Sequence, residues 1–317
     1  MRAIEVARYG GPDELVPVEV PDPVAGPGEV VVRAEAVDTI YVETQIRGGW
    51  GERFGYLPPF VPGGAAAGTV VSVGPDVAGE WLGRRVVAGP GTRGTYAELV
   101  RVPLERLIPV PDGLGLREAA ALAHDGVTGT GLVEGIGIRP GERVLILGAA
   151  GGMGTLLVQR AVAAGAHVVA AARGGRKREL VRSLGAQTVV DYAEPGWTER
   201  VGGPVDVLLD GVGGELGTAA FALVRDGGRA SLHGAPSGGF TPVDPAGAER
   251  RGITLRGIAD LQFPAEEITR LGALALAEAA AGRLRPVIAR TFPLAQAAAA
   301  HRAIEAREIA GKALLIP

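Results

Sequence analysis

The chain has 317 residues, a formal net charge of −3 and 47% hydrophobic residues, which indicates a folded protein long enough for two domains. This charge gives no reason to expect a nucleic-acid partner, and the absence of cysteine excludes disulfides and thiolate zinc sites. The four histidines stand singly, without the spacing of metal ligands, so we expect no metal. No apolar leader stands at the N-terminus and polar residues interrupt the apolar stretches, so we expect a cytoplasmic protein with no membrane partner.

Two kinds of pattern follow each other along the chain. Short β-like runs separated by turns, at residues 29–36, 68–73, 85–88 and 95–102, predict a β-rich first domain. From residue 118 helical and strand patterns alternate, which predicts a parallel sheet with helices between its strands. Its later strands are expected at 167–172, 205–209, 229–233 and 255–258.

The C-terminal part changes pattern again. An alanine-rich helix is predicted over 266–281, a strand over 287–293, a helix over 295–306 and a last strand over 313–316. We expect this tail to return to the first domain.

A buried strand that runs into a glycine-rich turn, VLILGAAGGMG at 144–154, is typical of a dinucleotide-binding βαβ unit. Gly151, Gly152 and Gly154 remove side chains where a helix is expected to begin near Thr155, so backbone amides can approach a pyrophosphate. That helix closes at Gly165, before the second strand. A tight turn in another kind of α/β protein is the alternative.

The residues after the second strand indicate which dinucleotide binds. An NAD site usually has Asp or Glu about 20 residues after the glycine turn, but here Arg173 stands there, followed by two glycines and Arg176, Lys177 and Arg178. Cations would pair with the extra phosphate of NADPH, so we predict NADPH. Only Lys177 and Lys312 among the 32 basic residues are lysines, and we hypothesise that Lys177 provides a compact charge for that phosphate. An ordinary solvated basic loop is the alternative.

Motifs spread along the chain carry a resemblance to a known family. They are VPGGAAAGTVVSVGPDV (61–77), GTYAELVRVP (94–103), EAAALAHDGVTGT (118–130), the glycine turn, RSLGAQTVVDY (182–192), DVLLDGVGG (206–214) and the closing GKALLIP. Together they resemble the zinc-free quinone oxidoreductase (zeta-crystallin-like) family of the medium-chain dehydrogenase/reductase superfamily, over nearly the whole chain.

The resemblance implies an α/β fold with a groES-like β-rich lobe and a Rossmann lobe, the latter a doubly wound parallel sheet. It implies a substrate domain at 1–121 and 264–317, an NADPH-binding domain at 122–263, and the nicotinamide in the cleft between them. It also implies a homodimer built by edge strands of the cofactor lobes.

The resemblance assigns cofactor contacts residue by residue. The glycine turn would hold the pyrophosphate, a basic group would hold the adenosine phosphate, and a third group would surround the nicotinamide and its ribose; a half-buried edge aromatic is the alternative for Tyr192. These groups are Ala150, Gly151, Gly152, Met153 and Gly154; Arg173, Lys177 and Tyr192; and Thr128, Gly211, Val212, His233 and Gly234. Lys312 of the closing motif is also predicted to contact the cofactor.

The substrate side departs from the family pattern. Asp38 stands where the family has Asn, and Gln45 stands where relatives often have Tyr, so a tyrosine acid cannot be carried over. We predict His124, close to Thr128, and Tyr41 as candidate proton donors, with water as an alternative. A structural histidine is the alternative for His124.

An aromatic segment, GGWGERFGYLPPF at 48–60, predicts an apolar slot for a flat substrate, although these aromatics could instead anchor a loop. The predicted substrate pocket comprises Asp38, Gln45, Trp50, Phe54, Tyr56, Phe240 and Phe263.

The resemblance implies that hydride passes from NADPH to a quinone or a conjugated carbonyl compound such as an enone, without a metal. Reduction of an enoyl thioester or an alkenal in a biosynthetic pathway is one alternative. A non-catalytic NADPH-binding protein is another.

Overall fold

Two large β-sheets organise the chain, and each lies in its own unit. The computed structural model describes residues 1–317; unit 1 comprises Met1–Val127 and Pro264–Pro317, and unit 2 comprises Thr128–Phe263. The chain passes from unit 1 to unit 2 at residue 128, whereas we predicted that the second domain begins at residue 122. The assignment of the units as substrate and cofactor domains stays a prediction.

Strands and α-helices occur throughout the chain. The strands are β1 (Arg2–Val6), β2 (Leu15–Glu19), β3 (Glu29–Asp38), β4 (Ala66–Val73), β5 (Arg85–Ala88), β6 (Leu99–Pro103), β7 (Leu107–Pro109), β8 (Arg143–Leu147), β9 (His167–Ala171), β10 (Thr188–Val190), β11 (Val205–Asp210), β12 (Val224–Leu232), β13 (Thr254–Gly257), β14 (Ile288–Pro293) and β15 (Lys312–Ile316). The helices are α1 (Tyr41–Gln45), α2 (Leu116–Leu122), α3 (Asp125–Ile136), α4 (Gly152–Ala163), α5 (Gly175–Ser183), α6 (Gly214–Phe221), α7 (Pro245–Arg250), α8 (Ala265–Ala280) and α9 (Ala297–Glu305). None of these helices combines the length and the apolar character needed to cross a membrane.

Unit 1 is built on a mixed sheet in which β3 is the central strand. The strand order is β14-β15-β3-β4-β5-β7, β6 also pairs with β3, and β1 and β2 form a separate antiparallel pair. Alternate residues of β3, including Val30 and Val32, enter the hydrophobic core of the unit. The C-terminal strand β15 lies antiparallel beside β3, with Leu314 opposite Asp38, so residues far apart in sequence meet at the end of β3.

Unit 2 is a six-stranded parallel sheet with the order β10-β9-β8-β11-β12-β13. Counted along the unit, this order is 3-2-1-4-5-6, the doubly wound Rossmann arrangement. In β8, Val144 and Ile146 enter one hydrophobic core and Leu145 and Leu147 enter another, so both faces of the sheet are covered. The predicted fold class, a β-rich lobe with a Rossmann lobe, is confirmed.

Several predicted elements have different bounds in the structure, among them α4 and β6. Helix α4 begins at Gly152 and not near Thr155, because the Thr155 N–H already donates to the Gly151 carbonyl at 3.0 Å. The glycines therefore form the first turn of the helix. Strand β6 begins at Leu99 and not at residue 95, since the preceding segment has only an isolated bridge between Ala97 and Ala3.

We predict that Gly154→Ala lowers the free energy of unfolding by about 1–3 kcal/mol. A Cβ on Gly154 would lie 2.3 Å from the Gly148 carbonyl oxygen and 2.8 Å from the Ala149 carbonyl carbon, and these backbone atoms have to move. Gly175→Ala is the matched control, because no atom lies within 4 Å of its Cβ position. Urea unfolding of both variants measures the difference; equal stabilities would contradict the close approach at Gly154.

Candidate active site

The residues predicted for the cofactor gather at one edge of the sheet of unit 2. The last residues of four strands, Ala171, Leu147, Asp210 and Leu232, pair with one another in register. The glycine turn follows β8, Arg173 follows β9, and the two remaining pairs, Gly211-Val212 and His233-Gly234, follow β11 and β12. The carboxyl ends of parallel strands are where ligands bind in doubly wound folds.

The first turn of α4 presents backbone amides with no partner from a side chain. No side chain caps the helix, and its first internal hydrogen bond is donated by Thr155, so the amides of Gly152, Met153 and Gly154 point out of the helix end. Gly154 also has to be glycine for α4 to approach the end of β8. A cradle of this kind fits a pyrophosphate.

The basic run after β9 leaves two exposed arginines, Arg173 and Arg176, without an ion pair. Arg173 is exposed and makes no ion pair, Lys177 lies half-buried in α5, and Tyr192 is half-buried beyond β10. Asp191, the carboxylate nearest the loop, accepts hydrogen bonds from the backbone amides of Gly174 at 2.8 Å and Ala193 at 3.0 Å. The acid therefore fixes the loop through its backbone and leaves Arg173 unpaired.

The loops after β11 and β12 pack closely through glycine. A Cβ on Gly234 would lie 2.0 Å from the Gly211 carbonyl carbon, and Val212 is buried beside them. Burial lowers the pKa of His233 to about 4, so its imidazole is neutral at neutral pH. Its Nδ1 lies 3.1 Å from the Ser231 Oγ, and its buried Nε2 has no hydrogen-bond partner. Thr128 is half-buried in α3.

Unit 1 contains a buried ion cluster at the end of β3. The Lys312 Nζ lies 2.7 Å from Asp38 Oδ1 and 2.9 Å from Asp125 Oδ2, and the Lys312 and Asp38 side chains are almost fully buried. The second oxygen of Asp38 lies 2.8 Å from His124 Nδ1. β3, β15 and the start of α3 each contribute to this cluster, which therefore exists only in the folded unit.

The pKa values of the cluster follow from burial and mutual charge. Burial alone would raise the pKa of Asp38, but the charge of Lys312 and the hydrogen bond from His124 outweigh it, and the pKa is lowered. Burial opposes the charge of Lys312, yet Asp125 and Asp38 raise its pKa above the ordinary value. Burial raises the pKa of Asp125 despite the nearby Lys312. Lys312 and Asp38 therefore form an ionised pair at neutral pH.

The ionised Asp38 fixes the orientation of His124. A carboxylate only accepts hydrogen bonds, so His124 Nδ1 carries the proton of the 2.8 Å contact. The other ring nitrogen, Nε2, lies on the side of Gly64, where a Cβ would come within 3.0 Å of it. The cluster thus holds an imidazole from one side and leaves Nε2 available on the other.

A cavity of about 270 Å³ lies on that open side of His124, entirely within unit 1. It is lined by Ile40, Val42, Glu43, Ile46, Phe54, Tyr56, Pro62, Gly63, Gly64, Gly91, Thr92, Arg93 and His124. The guanidinium of Arg93 stacks 4.5 Å from the centre of the Tyr56 ring and donates to the carbonyls of Gly55 and Phe54, both at 2.8 Å. These contacts of Arg93 therefore hold the loop around Phe54 and Tyr56, which forms one wall of the cavity.

Glu43 is the acidic group of the cavity wall. Its Oε2 accepts hydrogen bonds from the Ile40 amide at 3.1 Å and the Tyr96 hydroxyl at 2.7 Å, and its Oε1 accepts from the Gly64 amide at 3.1 Å. Glu43 is the third residue of α1 and reaches back to the amide before the helix, which fixes its rotamer. Burial raises its pKa to about 6, although His124 and the Tyr96 hydrogen bond act in the opposite direction.

Only some of the predicted substrate residues meet at this cavity. Phe54 and Tyr56 line it, together with His124, one of the two predicted proton donors. Asp38 is fully buried behind His124, so the prediction that it contacts substrate is wrong, because its carboxylate is enclosed by Lys312 and His124.

The other predicted substrate residues lie elsewhere. Tyr41, Gln45 and Trp50 are half-buried but do not line the cavity. In unit 2, Phe240 is exposed and Phe263 packs partly buried against a hydrophobic core. The prediction that Lys312 contacts the cofactor also fails for its ammonium, which two carboxylates already enclose.

Sequence reasoning missed most of the residues that line the cavity, among them Glu43, Gly64 and Arg93. Gly64 lies within the VPGG motif that carried the family resemblance, and Glu43 lies in the segment whose alignment to the family departs most. The motif indicated the segment, but only the fold places Gly64 between Glu43 and His124.

We predict that Lys312→Met lowers the free energy of unfolding by about 3–5 kcal/mol, because two buried carboxylates lose their shared cation. Without the cation the folded-state pKa values of Asp38 and Asp125 rise above their unfolded values, so stability is lost as pH rises through them. The deficit should therefore be larger at about pH 8 than at about pH 5 in urea unfolding. Lys177→Met, outside the cluster, should change stability by less than about 1 kcal/mol. A deficit independent of pH would contradict the ion cluster.

No three His, Asp or Glu side chains are grouped so that they could hold a metal ion, and the chain has no cysteine.

Comparisons with known proteins agree with this architecture. Residues 26–112 match the family model of the alcohol dehydrogenase GroES-like domain, and residues 184–315 match that of zinc-binding dehydrogenase. The chain is 32% identical to 2-haloacrylate reductase of a Burkholderia species, covering 99% of this chain and 98% of the relative. It is 31% identical to quinone oxidoreductase of Pseudomonas aeruginosa, covering 100% and 99%. A mycobacterial protein solved in complex with NADPH superposes with a TM-score of 0.91 at 32% identity, covering 100% of both chains. The chain therefore belongs to the quinone oxidoreductase family of medium-chain dehydrogenases and reductases, as its motifs predicted.

Proposed function

We propose that this protein is an NADPH-dependent reductase of small quinones and conjugated carbonyl compounds. Unit 2 would bind the cofactor and the cavity of unit 1 would bind the substrate. The observation that carries the proposal is His124, which a buried ion pair holds through Nδ1 while Nε2 faces an apolar-walled cavity.

The residues of unit 2 fit NADPH. The amides of Gly152, Met153 and Gly154 would hold the pyrophosphate, and the unpaired Arg173 would hold the additional phosphate. The unpartnered Nε2 of His233, at the same edge of the sheet, is a further polar group for the cofactor. When bound, NADPH supplies the hydride.

His124 would stabilise negative charge on the substrate oxygen. In its imidazolium form both ring nitrogens donate, and because Nδ1 donates to Asp38 only Nε2 is left for the substrate. A donor fixed in position before the reaction stabilises a developing oxyanion without rearrangement. Asp38 and Lys312 act through His124 and serve as positioning residues.

The size of the cavity favours a small substrate. At about 270 Å³ it lies just below the usual range of about 300–1,000 Å³ for ligand pockets. A single quinone ring or a short conjugated carbonyl compound matches this volume. The relative named 2-haloacrylate reductase supports the same choice.

Two alternatives remain from the sequence. An enoyl thioester or alkenal reductase would use the same site, with a thioester placing only its acyl end in the cavity. A non-catalytic NADPH-binding protein is disfavoured, because cofactor binding alone does not require a buried ion cluster with one imidazole nitrogen open to a cavity. Cytoplasmic location and a homodimer stay predictions.

A substrate panel tests the proposal. Purified protein and NADPH are mixed with benzoquinone, a short enone, a 2-haloacrylate or an enoyl thioester, and loss of NADPH absorbance is followed. We expect turnover with a small quinone or enone. Turnover confined to the thioester selects the first alternative, and NADPH binding by calorimetry without any turnover selects the second.

His124→Ala should lower kcat/KM by about 100-fold or more, because the substrate oxygen loses its fixed donor. His167→Gln, which changes a half-buried histidine in β9, should leave kcat/KM within about twofold. Tyr41→Phe distinguishes the two proton donors predicted from sequence. If kcat/KM falls in Tyr41→Phe and not in His124→Ala, Tyr41 is the donor. Full activity in His124→Ala would remove His124 from the mechanism.

Arg173→Ala should raise the Michaelis constant for NADPH by about tenfold or more and leave that for NADH nearly unchanged. The reason is that only NADPH carries the phosphate that Arg173 would pair with. Arg182→Ala, at the other end of α5 and also exposed, is the matched control. Equal changes for the two cofactors would contradict the assignment, and Lys177→Ala tested alongside shows whether the lysine shares this role.

A further inference from the structure

Glu43, in the cavity wall, is the first member of a buried chain of polar groups that extends behind the wall. The Tyr96 hydroxyl lies 2.7 Å from Glu43 Oε2 and 2.9 Å from His301 Nε2. Tyr96 and His301 are completely buried, and the Nδ1 of His301 has no partner. The role proposed for His124 in binding the substrate oxygen uses neither Tyr96 nor His301.

Tyr96 can satisfy both protonation states of Glu43. When Glu43 is ionised, Tyr96 donates to it and accepts from the Nε2–H tautomer of His301. In the second arrangement Glu43 carries a proton on Oε1, and its Oε2 still accepts from Tyr96, which keeps its contact with Nε2 of His301. Burial and the charge of Arg47 lower the pKa of His301 to about 3, so His301 is neutral in both arrangements.

The two oxygens of Glu43 have different surroundings. Oε2 is turned to Tyr96 and the Ile40 amide, whereas Oε1 accepts only the Gly64 amide. A second lone pair of Oε1 is therefore open for a proton. Gly64 has no side chain, and a Cβ there would lie 3.9 Å from Glu43 Oε1 and 3.0 Å from His124 Nε2. The two groups thus flank one point of the cavity wall.

Charged and titratable groups face Glu43 from several elements. His124 lies across Gly64 and lowers the Glu43 pKa, Asp38 behind it raises that pKa, and the Tyr96 hydrogen bond lowers it. Arg93 lines the same cavity, and Arg47 acts on Tyr96 and His301 behind the wall. Together with burial, which is the largest effect, these groups leave the Glu43 pKa at about 6.

We infer that Glu43 is the proton donor that completes the reduction, with Tyr96 and His301 as positioning residues; this inference rests on the proposed function. Bound NADPH would supply the hydride that forms a C–H bond at the conjugated carbon, and His124 would bind the oxygen of the resulting enolate. The Oε1–H bond of Glu43 breaks and its proton forms the second C–H bond at the carbon next to the carbonyl. The hydride from the cofactor and the proton from Glu43 together would account for reduction of the double bond, and solvent water would return a proton to Glu43.

The division of roles follows from the hydrogen bonds. His124 donates through Nε2 to the oxygen while its other nitrogen stays bound to Asp38. Glu43 is neutral below about pH 6 and ionised above it, so it can release and regain a proton near neutral pH. We expect kcat/KM to fall as the pH rises through about 6, because the protonated form of Glu43 is the active one.

The test compares the intact wild-type protein with Glu43→Gln on an enone, over a range of pH and in deuterated water. We expect kcat/KM of the variant to fall by about 100-fold or more and to lose the decline near pH 6 that Glu43 causes in the wild type. The wild-type product should carry deuterium on one face of the carbon beside the carbonyl, and the variant product on both faces. Glu52→Gln, an exposed carboxylate of the 48–60 segment outside the cavity, should behave as the wild type.

Tyr96→Phe keeps the inference testable if Glu43→Gln does not fold. It removes a hydrogen bond that lowers the Glu43 pKa, so this decline of kcat/KM should move to higher pH. If Tyr96→Phe only destabilised the fold, kcat/KM would be lower at every pH without this shift. Infrared spectra of the cofactor-free protein give a readout without turnover: a protonated carboxyl band should titrate near the same pH and be missing in Glu43→Gln.

The outcomes separate this inference from the proposed function. Turnover by the wild-type protein supports the proposed function whatever the variants do. An unchanged pH profile and one-faced deuteration in Glu43→Gln, or an unshifted profile in Tyr96→Phe, would overturn the proton-donor role alone. Absence of wild-type turnover with every substrate would overturn both.

Discussion

The pair of contacts between the Lys312 ammonium and the carboxylates of Asp38 and Asp125 is the constraint on which the active-site side of unit 1 depends. Lys312 is the first residue of β15, Asp38 the last of β3 and Asp125 the first of α3, so one ammonium joins three elements. Burial of these groups opposes their charges, and only close pairing compensates. The same pairing keeps Asp38 ionised, and the ionised Asp38 determines which nitrogen of His124 faces the cavity.

The choice of lysine at this position has a physical reason. The chain uses arginine for all but two of its 32 cationic side chains, yet a lysine stands in the most buried ion cluster. A compact ammonium can donate to two carboxylates that approach from different elements, whereas a planar guanidinium requires its partners to lie near one plane. The carboxylate pair of unit 1 therefore explains why position 312 is a lysine, while the role hypothesised for Lys177 stays a prediction.

Sequence reasoning recovered the parts of the molecule that local pattern determines. The strand, glycine turn and helix around Gly151 lie within one short segment. The residue types that these elements need therefore stand next to one another in the sequence. The order of the six parallel strands then brought Arg173, Gly211 and His233 to the same edge, because each follows a strand of the predicted sheet. Boundary errors, such as the start of α4, arose where glycine leaves no side-chain signal for the first helical turn.

The cavity of unit 1 could not be predicted in the same way, since it depends on contacts between distant residues. Glu43 meets Tyr96 over a separation of 53 residues, and Tyr96 meets His301 over 205. No periodicity or spacing links such positions, and the sequence does not reveal whether a carboxylate is buried. Asp38 shows the consequence: its place in the family pattern indicated the correct region, but only the structure shows that it lies behind His124 and not in the cavity.

The two polar systems on the cavity wall complement each other because they differ in charge. The Asp38–Lys312 pair is ionised and remains so, which suits it to hold an imidazole in a fixed orientation. The chain behind Glu43 contains a neutral histidine and a tyrosine whose pKa burial raises well above the ordinary value, so neither competes with Glu43 for its proton near neutral pH. Within this chain of three groups, Glu43 is therefore the one that can release and regain a proton near neutral pH.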